Sequence, residues 1–562
     1  MFVVKAQTRS LRRRLLCQWP CLFLVLCPLL LGNTTPRSPS PLQLELDALY
    51  SARFVLSATG TPTITVAVAE GIQQVRVSMS SAGTATWFNA AGQKKRVGLS
   101  ARQEWSVRLV RGTPAQVRFW LSPFVVPVSQ KLPLSKLRRF WKKRGQTLRL
   151  KTVGSVFSVQ GRWVDNRRRV GILRAYSSKN RAIRMAATLS ENQPMPLRLH
   201  EELVKRASGV LQLSGQGQSI RSQSLLRLAP NASSGTLQVD WIDQRGRSRS
   251  RRYQGTLEIV VGKDGRLAVL NRVPVPSYLR GVLPSEMPAR APLEALKAQA
   301  VCARNEVMAK IGGRHHADPF LFCASTHCQV YHGHSAAHSR TDRAIRETRG
   351  RVMWHPQGRL ADAYYSAVSG GHTEHNEHVW FLPADPMLRG KPDLLSSKTA
   401  YSRGISHRNI RSWLRSPPLS YSSGRTRLQR RRFRWVRVFS ASRMKRMVER
   451  RYRGMGEIVK LEPLKRGVSG RIYKLRIVGR RRTVIVYGEL RIRRLLGNLR
   501  SSMFVVEASP SSGSQVWKLL GGGWGHGVGM CQWGAIERAR RGQNFQTILH
   551  HYYTTMRLLR LY

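Results

Sequence analysis

The sequence predicts an α+β protein, in which a β-rich N-terminal region precedes a mixed α/β domain with a long amphipathic helix directly after a candidate catalytic turn. From about residue 48 to 260, runs such as TPTITVAVAEG, QQVRVSMS, SVRLVRG and GTLQVDWI alternate apolar and polar residues between Gly, Asn and Ser. At 292–311 the apolar period changes to that of a helix. Beyond 364, glycine-dense segments are interspersed with further alternating runs.

At 562 residues the chain exceeds one compact core. Arg9, Arg12, Arg13 and Arg14 precede the apolar stretch Leu15 to Leu31, so residues 1–32 read as a signal peptide or an N-terminal anchor, and the bulk of the chain as exported to the periplasm, the cell wall or the outer face of the cytoplasmic membrane. A Pro/Ser-rich linker follows at 33–47, then the β-rich region at 48–250 and the mixed domain at 251–562, with a strongly basic insertion near 401–455. In the β-rich region no catalytic motif stands out. Residues 129–152 are basic with Phe140 and Trp141 interleaved, a pattern read as a solvated face with one core contact. GTLEIVVG and RLAVLNRVPV, joined by Lys263-Asp264-Gly265, form a hairpin that leads to the next motif.

That motif is LPSEMP (283–288), which sets Glu286 among Leu283, Pro284, Met287 and Pro288. A carboxyl in apolar surroundings holds its proton more tightly, as a proton donor must. Pro292 opens the following helix and Gly312-Gly313 close it, with Leu293, Leu296, Ala300, Val307 and Ile311 facing the core. Lys297 and Arg304, seven residues apart, share one side of it.

Lys and Arg number 96 against 29 Asp and Glu, a net charge of +67 that attracts any polyanion without naming it. Residues 401–500 alone hold 30 basic and 4 acidic side chains. No nucleic-acid fold motif accompanies the arginines and the chain reads as exported, so nucleic acid is the disfavoured partner. Three of the seven cysteines (Cys17, Cys21, Cys27) lie in the leader, leaving too few for a disulfide framework. His316, Cys323, His327 and Cys328 offer two nitrogens and two thiolates, a set that suits a structural Zn2+. His315 competes with His316 for the first position. A disulfide between Cys323 and Cys328, or to Cys302 or Cys531, is the alternative.

Six motifs in order complete the pattern: VPVPSYLRGVLPSEMP, PLEALKAQAVCAR, CQVYHG, YYSAVSGGHTE, SGRIYKLRIVG with LRIRRLLGNLRSSMF, and GGGWGHGVGMCQWGA. Over roughly 255–560 the chain thereby resembles the stage II sporulation protein D (SpoIID) family, which includes the amidase-enhancer LytB proteins. The resemblance implies a peptidoglycan lytic transglycosylase that cleaves glycan strands, among them strands stripped of stem peptides, with Glu286 as the single acid/base. It implies Lys297, Arg304, Tyr365, Glu374 and His526 as candidate substrate-binding residues, and structural zinc without an organic cofactor. The amidase-enhancer branch implies instead a non-catalytic partner of a wall amidase. On either reading the basic surface would hold the protein on anionic wall polymers or a membrane face, and residues 48–250 are a candidate wall-binding region.

Overall fold

The run Thr61 to Gly71 becomes the strand Pro62–Ile72, because its β-branched side chains pack on both faces of a buried sheet. The computed structural model describes residues 38–51, 55–57, 60–190, 197–396, 400–511 and 514–562; the expected leader and its three cysteines lie outside them. Strand Pro62–Ile72 pairs with Leu267–Pro274, and the sheet continues through Thr256–Val261, Leu225–Pro230, Gly83–Phe88 and Lys94–Leu99. Strands from both sides of residue 250 therefore share one sheet. The hairpin about Lys263-Asp264-Gly265 forms as the sequence predicts.

A second sheet of six strands, running from Gln218–Gln223 to Ser248–Gln254, shares its core with the first through Val75, Val107, Leu211 and Leu237. The segment between strands Glu104–Thr113 and Ser208–Gly215 builds a smaller core of its own around Leu121, Phe124 and Trp141. Trp141, from the basic 129–152 stretch, is fully buried there. Residues 41–50, where the linker is expected to end, form a helix capped by Ser40 and opened by Pro41, with Leu49 buried.

LPSEMP is part of a helix rather than a free turn. Val275–Glu286 is helical, with Pro284 inside it and Glu286 as its last residue. The next helix, Leu293–Met308, starts after Pro292 as the sequence predicts, but it is buried nearly all round instead of being amphipathic. It packs against Val275–Glu286, Ser339–Glu347, Gln532–Arg540 and Phe545–Tyr552, so little of its surface meets water. The last helical stretch is two helices, broken where Gly542 adopts φ +84°.

The basic insertion is folded: helices Ile410–Arg415, Arg427–Phe433 and Ala441–Glu449 flank the strand Arg434–Ser440. That strand and the sheet Ile458–Arg466, Ile472–Gly479, Thr483–Tyr487 supply side chains to another core, with Trp435, Leu475 and Trp517 buried. Among the described residues no helix is long and apolar enough to cross a membrane.

The glycine-dense loop after 520 brings the last motif onto the central helix. Gly529 has φ +69°, and a Cβ there would lie 2.0 Å from the Tyr364 carbonyl oxygen. That carbonyl also accepts from Met530 N–H and Tyr553 O–H, so it is not free to retreat. Gly529→Ala is expected to cost roughly 2 kcal/mol or more, read as a lowered midpoint in thermal or urea denaturation.

Candidate active site

Glu286 lines a cleft of about 1090 Å³ together with Glu306, Tyr364, Tyr365, Trp380 and His526. Sequence-distant stretches meet here: the N-terminal region contributes Val125, Val126 and His200, and the Gly-rich loop contributes His526. Strand Tyr365–Ser366 lies parallel to Met530–Cys531, which sets Tyr365 beside Glu286 and starts the helix Gln532–Arg540 at its N-terminal residue Gln532.

The Glu286 backbone carbonyl, freed at the helix end, accepts from Gln532 Nε2 at 2.9 Å; the same amide nitrogen reaches Gln299 Oε1 at 3.3 Å. The Glu286 carboxylate is bonded to Tyr365, whose hydroxyl is 3.3 Å from Gln329 Nε2. Tyr278 O–H donates to Gln329 Oε1 at 3.3 Å, so a chain of buried polar groups runs from the helix to the acid. Burial raises the Glu286 pKa, the negative charge of Glu306 raises it further, and the bonds from Tyr365 and Gln532 pull it back. Its position at a helix C-terminus also disfavours the carboxylate form.

Glu306, Gln329 and Gln532 were not singled out in the sequence. Gln329 and Gln532 lie inside CQVYHG and GMCQWGA, whose pattern does not say which member meets the acid. Glu306 sits seven residues from Gln299 on the central helix and looks like a surface acid until the burial of that helix is known. It is ion-paired with Lys310, and its Oε1 is buried with no hydrogen-bond partner.

Aromatic rings form one wall. Trp380 packs on Tyr364 at 4.3 Å between centroids and on His526 at 5.2 Å. His526 Nδ1 accepts from Val528 N–H at 3.0 Å, which leaves the proton on Nε2 of the neutral ring. Burial and the cations Arg471 and Arg493 lower its pKa to about 3, so it offers the cleft a ring and no charge. Flat apolar faces with polar edges are suited to sugar rings.

Three expected substrate contacts require correction. Arg304 is fully buried and donates to the Arg351 carbonyl at 3.0 Å, while Lys297 is held by Glu294 at 2.7 Å and Glu347 at 2.6 Å. The two cations do share a helix side, but that side packs toward Glu347 and Arg351, and neither lines the cleft. Glu374 is 1% exposed and its oxygens accept from His375 N–H, Val468 N–H, Ser469 N–H and His378. It is a core acid that ties two segments together, with no capacity left for a ligand.

At one end of the cleft His315, Cys323, His327 and Cys328 bring one ligand atom each to within 4.8 Å of one another. Tetrahedral zinc, with bonds of about 2.0–2.3 Å, sets neighbouring ligand atoms roughly 3.3–3.8 Å apart. His315 Nε2 is 3.3 Å from Cys328 Sγ, and His327 Nδ1 is 3.7 Å from each sulfur. The donor set and its spacing are compatible with a structural metal. His315, with φ +54°, takes the place expected of His316, which packs instead on His200, 4.6 Å between centroids. Cys302, Cys323, Cys328 and Cys531 are all free thiols, so the alternative disulfides do not form.

Residues 263–355 match the family model described as stage II sporulation protein, SpoIID, and residues 374–529 match a domain of unknown function, DUF8618. The SpoIID match spans Glu286, the central helix and the His/Cys cluster. It is 30% identical over 295 residues to the amidase enhancer of Bacillus subtilis, a match that covers 49% of this chain and 39% of that protein. An uncharacterized protein of Brachyspira hyodysenteriae is 29% identical over 301 residues, covering 54% of this chain and 70% of the relative. The stage II sporulation protein D of Bacillus amyloliquefaciens is 25% identical over 308 residues, 50% of this chain and 74% of its own length.

Two of the groups that act on Glu286 are separable by opposite shifts. Glu306→Gln removes the repelling charge and lowers the Glu286 pKa, whereas Tyr365→Phe removes a bond to the carboxylate and raises it. Carbodiimide labelling, which requires the protonated carboxyl, should therefore lose Glu286 at lower pH in the first variant and at higher pH in the second, as read by peptide mass spectrometry.

Proposed function

We propose that this protein is a cell-wall enzyme, a peptidoglycan lytic transglycosylase in which Glu286 is the general acid/base. The observation that carries this reading is the raised pKa of Glu286 in an aromatic-walled cleft, inside the segment that matches the SpoIID family. In such a reaction Glu286 donates its proton to the glycosidic oxygen as the C1–O bond breaks. The 6-hydroxyl of the same muramic acid attacks C1, and its proton passes to the Glu286 carboxylate, restoring the starting form. Water is not consumed, so a second carboxylate is not needed to activate it. Tyr365 orients the carboxyl, Gln532 holds the end of its helix, and Trp380, Tyr364 and His526 stack on the sugar rings. Denuded strands, with their free lactyl carboxylates, fit a protein of net charge +67.

The metal we assign to the cluster is zinc, held by His315, Cys323, His327 and Cys328. Four protein ligands leave no position for substrate, so the ion would order the loop beside the cleft and supply no step of the reaction. Export, with action at the wall, belongs to the same proposal.

The amidase-enhancer relative supports a second reading, in which the cleft binds glycan without cutting it and the protein stimulates a wall amidase. Product analysis separates the two. Purified protein should release fragments ending in 1,6-anhydromuramic acid from denuded glycan strands, and Glu286→Gln should abolish release while keeping the melting temperature. Reducing-end muramic acid would replace the lytic mechanism by hydrolysis, and intact strands would favour the enhancer reading.

A further inference from the structure

An imidazole can offer a metal either nitrogen, and a freely rotating ring offers neither in a fixed place. At His315 the choice is already made. Its Nδ1 lies 3.0 Å from Asp318 Oδ2, while Nε2 lies 3.3 Å from Cys328 Sγ. The Nδ1–H tautomer, which the Asp318 carboxylate favours, leaves the lone pair on Nε2, on the side of Cys328 Sγ. Asp318 is itself held: its side chain is 9% exposed, and its other oxygen is 3.0 Å from Lys263 Nζ. Lys263 stands at the tip of the hairpin between strands Thr256–Val261 and Leu267–Pro274, and pairs also with Glu201 on strand Arg198–Lys205. The line Glu201, Lys263, Asp318, His315 thus runs from the N-terminal wall of the cleft into the ligand cluster.

We infer that Asp318 is a positioning residue for a divalent metal of the zinc class, fixing the tautomer and ring orientation of His315, and that Lys263 braces Asp318 from the opposite side. The inference rests on the reading that the cluster holds a metal. Outer carboxylates of this kind orient a ligating histidine and increase its basicity, and their loss typically weakens metal binding about 10–100-fold. Asp318 stands three residues after His315, but Lys263, which pairs with it, lies 55 positions earlier, where no spacing in the sequence connects them.

The test is zinc affinity of the full chain, measured by competition with a chromophoric chelator, together with the visible spectrum of the cobalt-substituted protein. Asp318→Ala should weaken zinc binding about 10–100-fold and alter the cobalt ligand-field bands. Asp318→Glu should recover part of the affinity, Lys263→Met should lose less than Asp318→Ala, and His316→Ala should leave affinity and spectrum unchanged. If the Asp318→Ala chain fails to fold, Asp318→Asn serves in its place, since it keeps an acceptor and removes the charge. Stoichiometric binding by the wild type with affinity and spectrum unmoved in folded Asp318 variants would overturn the inference while leaving the metal reading intact. A wild-type chain that binds no zinc would overturn both.

Discussion

Burial of the helix Leu293–Met308 on nearly every side is the constraint from which the site follows. A helix so enclosed cannot rotate or slide without breaking close packing on several neighbours at once. Its apolar residues Leu296, Ala300, Val301 and Val307 are shared between cores, and the helices that bear Glu286 and Gln532 both pack against it. The bonds from Gln532 to Gln299 and to the Glu286 carbonyl are therefore held by packing rather than by the bonds alone. Small side chains, Ala295, Ala298, Ala300 and Ala303, permit that close approach.

Within this frame the two cleft acids occupy different surroundings. Glu306 has Lys310 as a counter-ion, whereas Glu286 ends a helix and meets Tyr365 and Gln532. Neighbouring carboxylates repel, and the charge of Glu306 adds to burial in raising the Glu286 pKa. The difference between the two acids thus lies in where their partners stand.

The cluster of His315, Cys323, His327 and Cys328 joins the cleft to the large sheet. Cys323 lies on the short strand Phe322–Cys323, parallel to Pro62–Ile72, and the hairpin Lys263 reaches the same corner. The segment that matches the SpoIID model holds Glu286 and the His/Cys cluster, while the N-terminal region, outside both matched segments, lines the cleft with Val125, Val126 and His200.

Alternation of residues determined the strands Pro62–Ile72, Gln74–Met79 and Thr256–Val261, and the helical period after Pro292 determined the central helix, because both are local consequences of backbone geometry. The apolar setting of Glu286 was legible for the same reason: its neighbours in sequence are its neighbours in space. Which way the other faces point was not. Lys297 and Arg304 keep the spacing that pairs them, yet tertiary packing turns them toward Glu347 and Arg351. Glu374 reads as a ligand and is consumed by Ser469, 95 residues away. His315 and not its neighbour His316 stands in the cluster. Such choices depend on contacts between distant segments, which no periodicity encodes, and only the folded chain makes them.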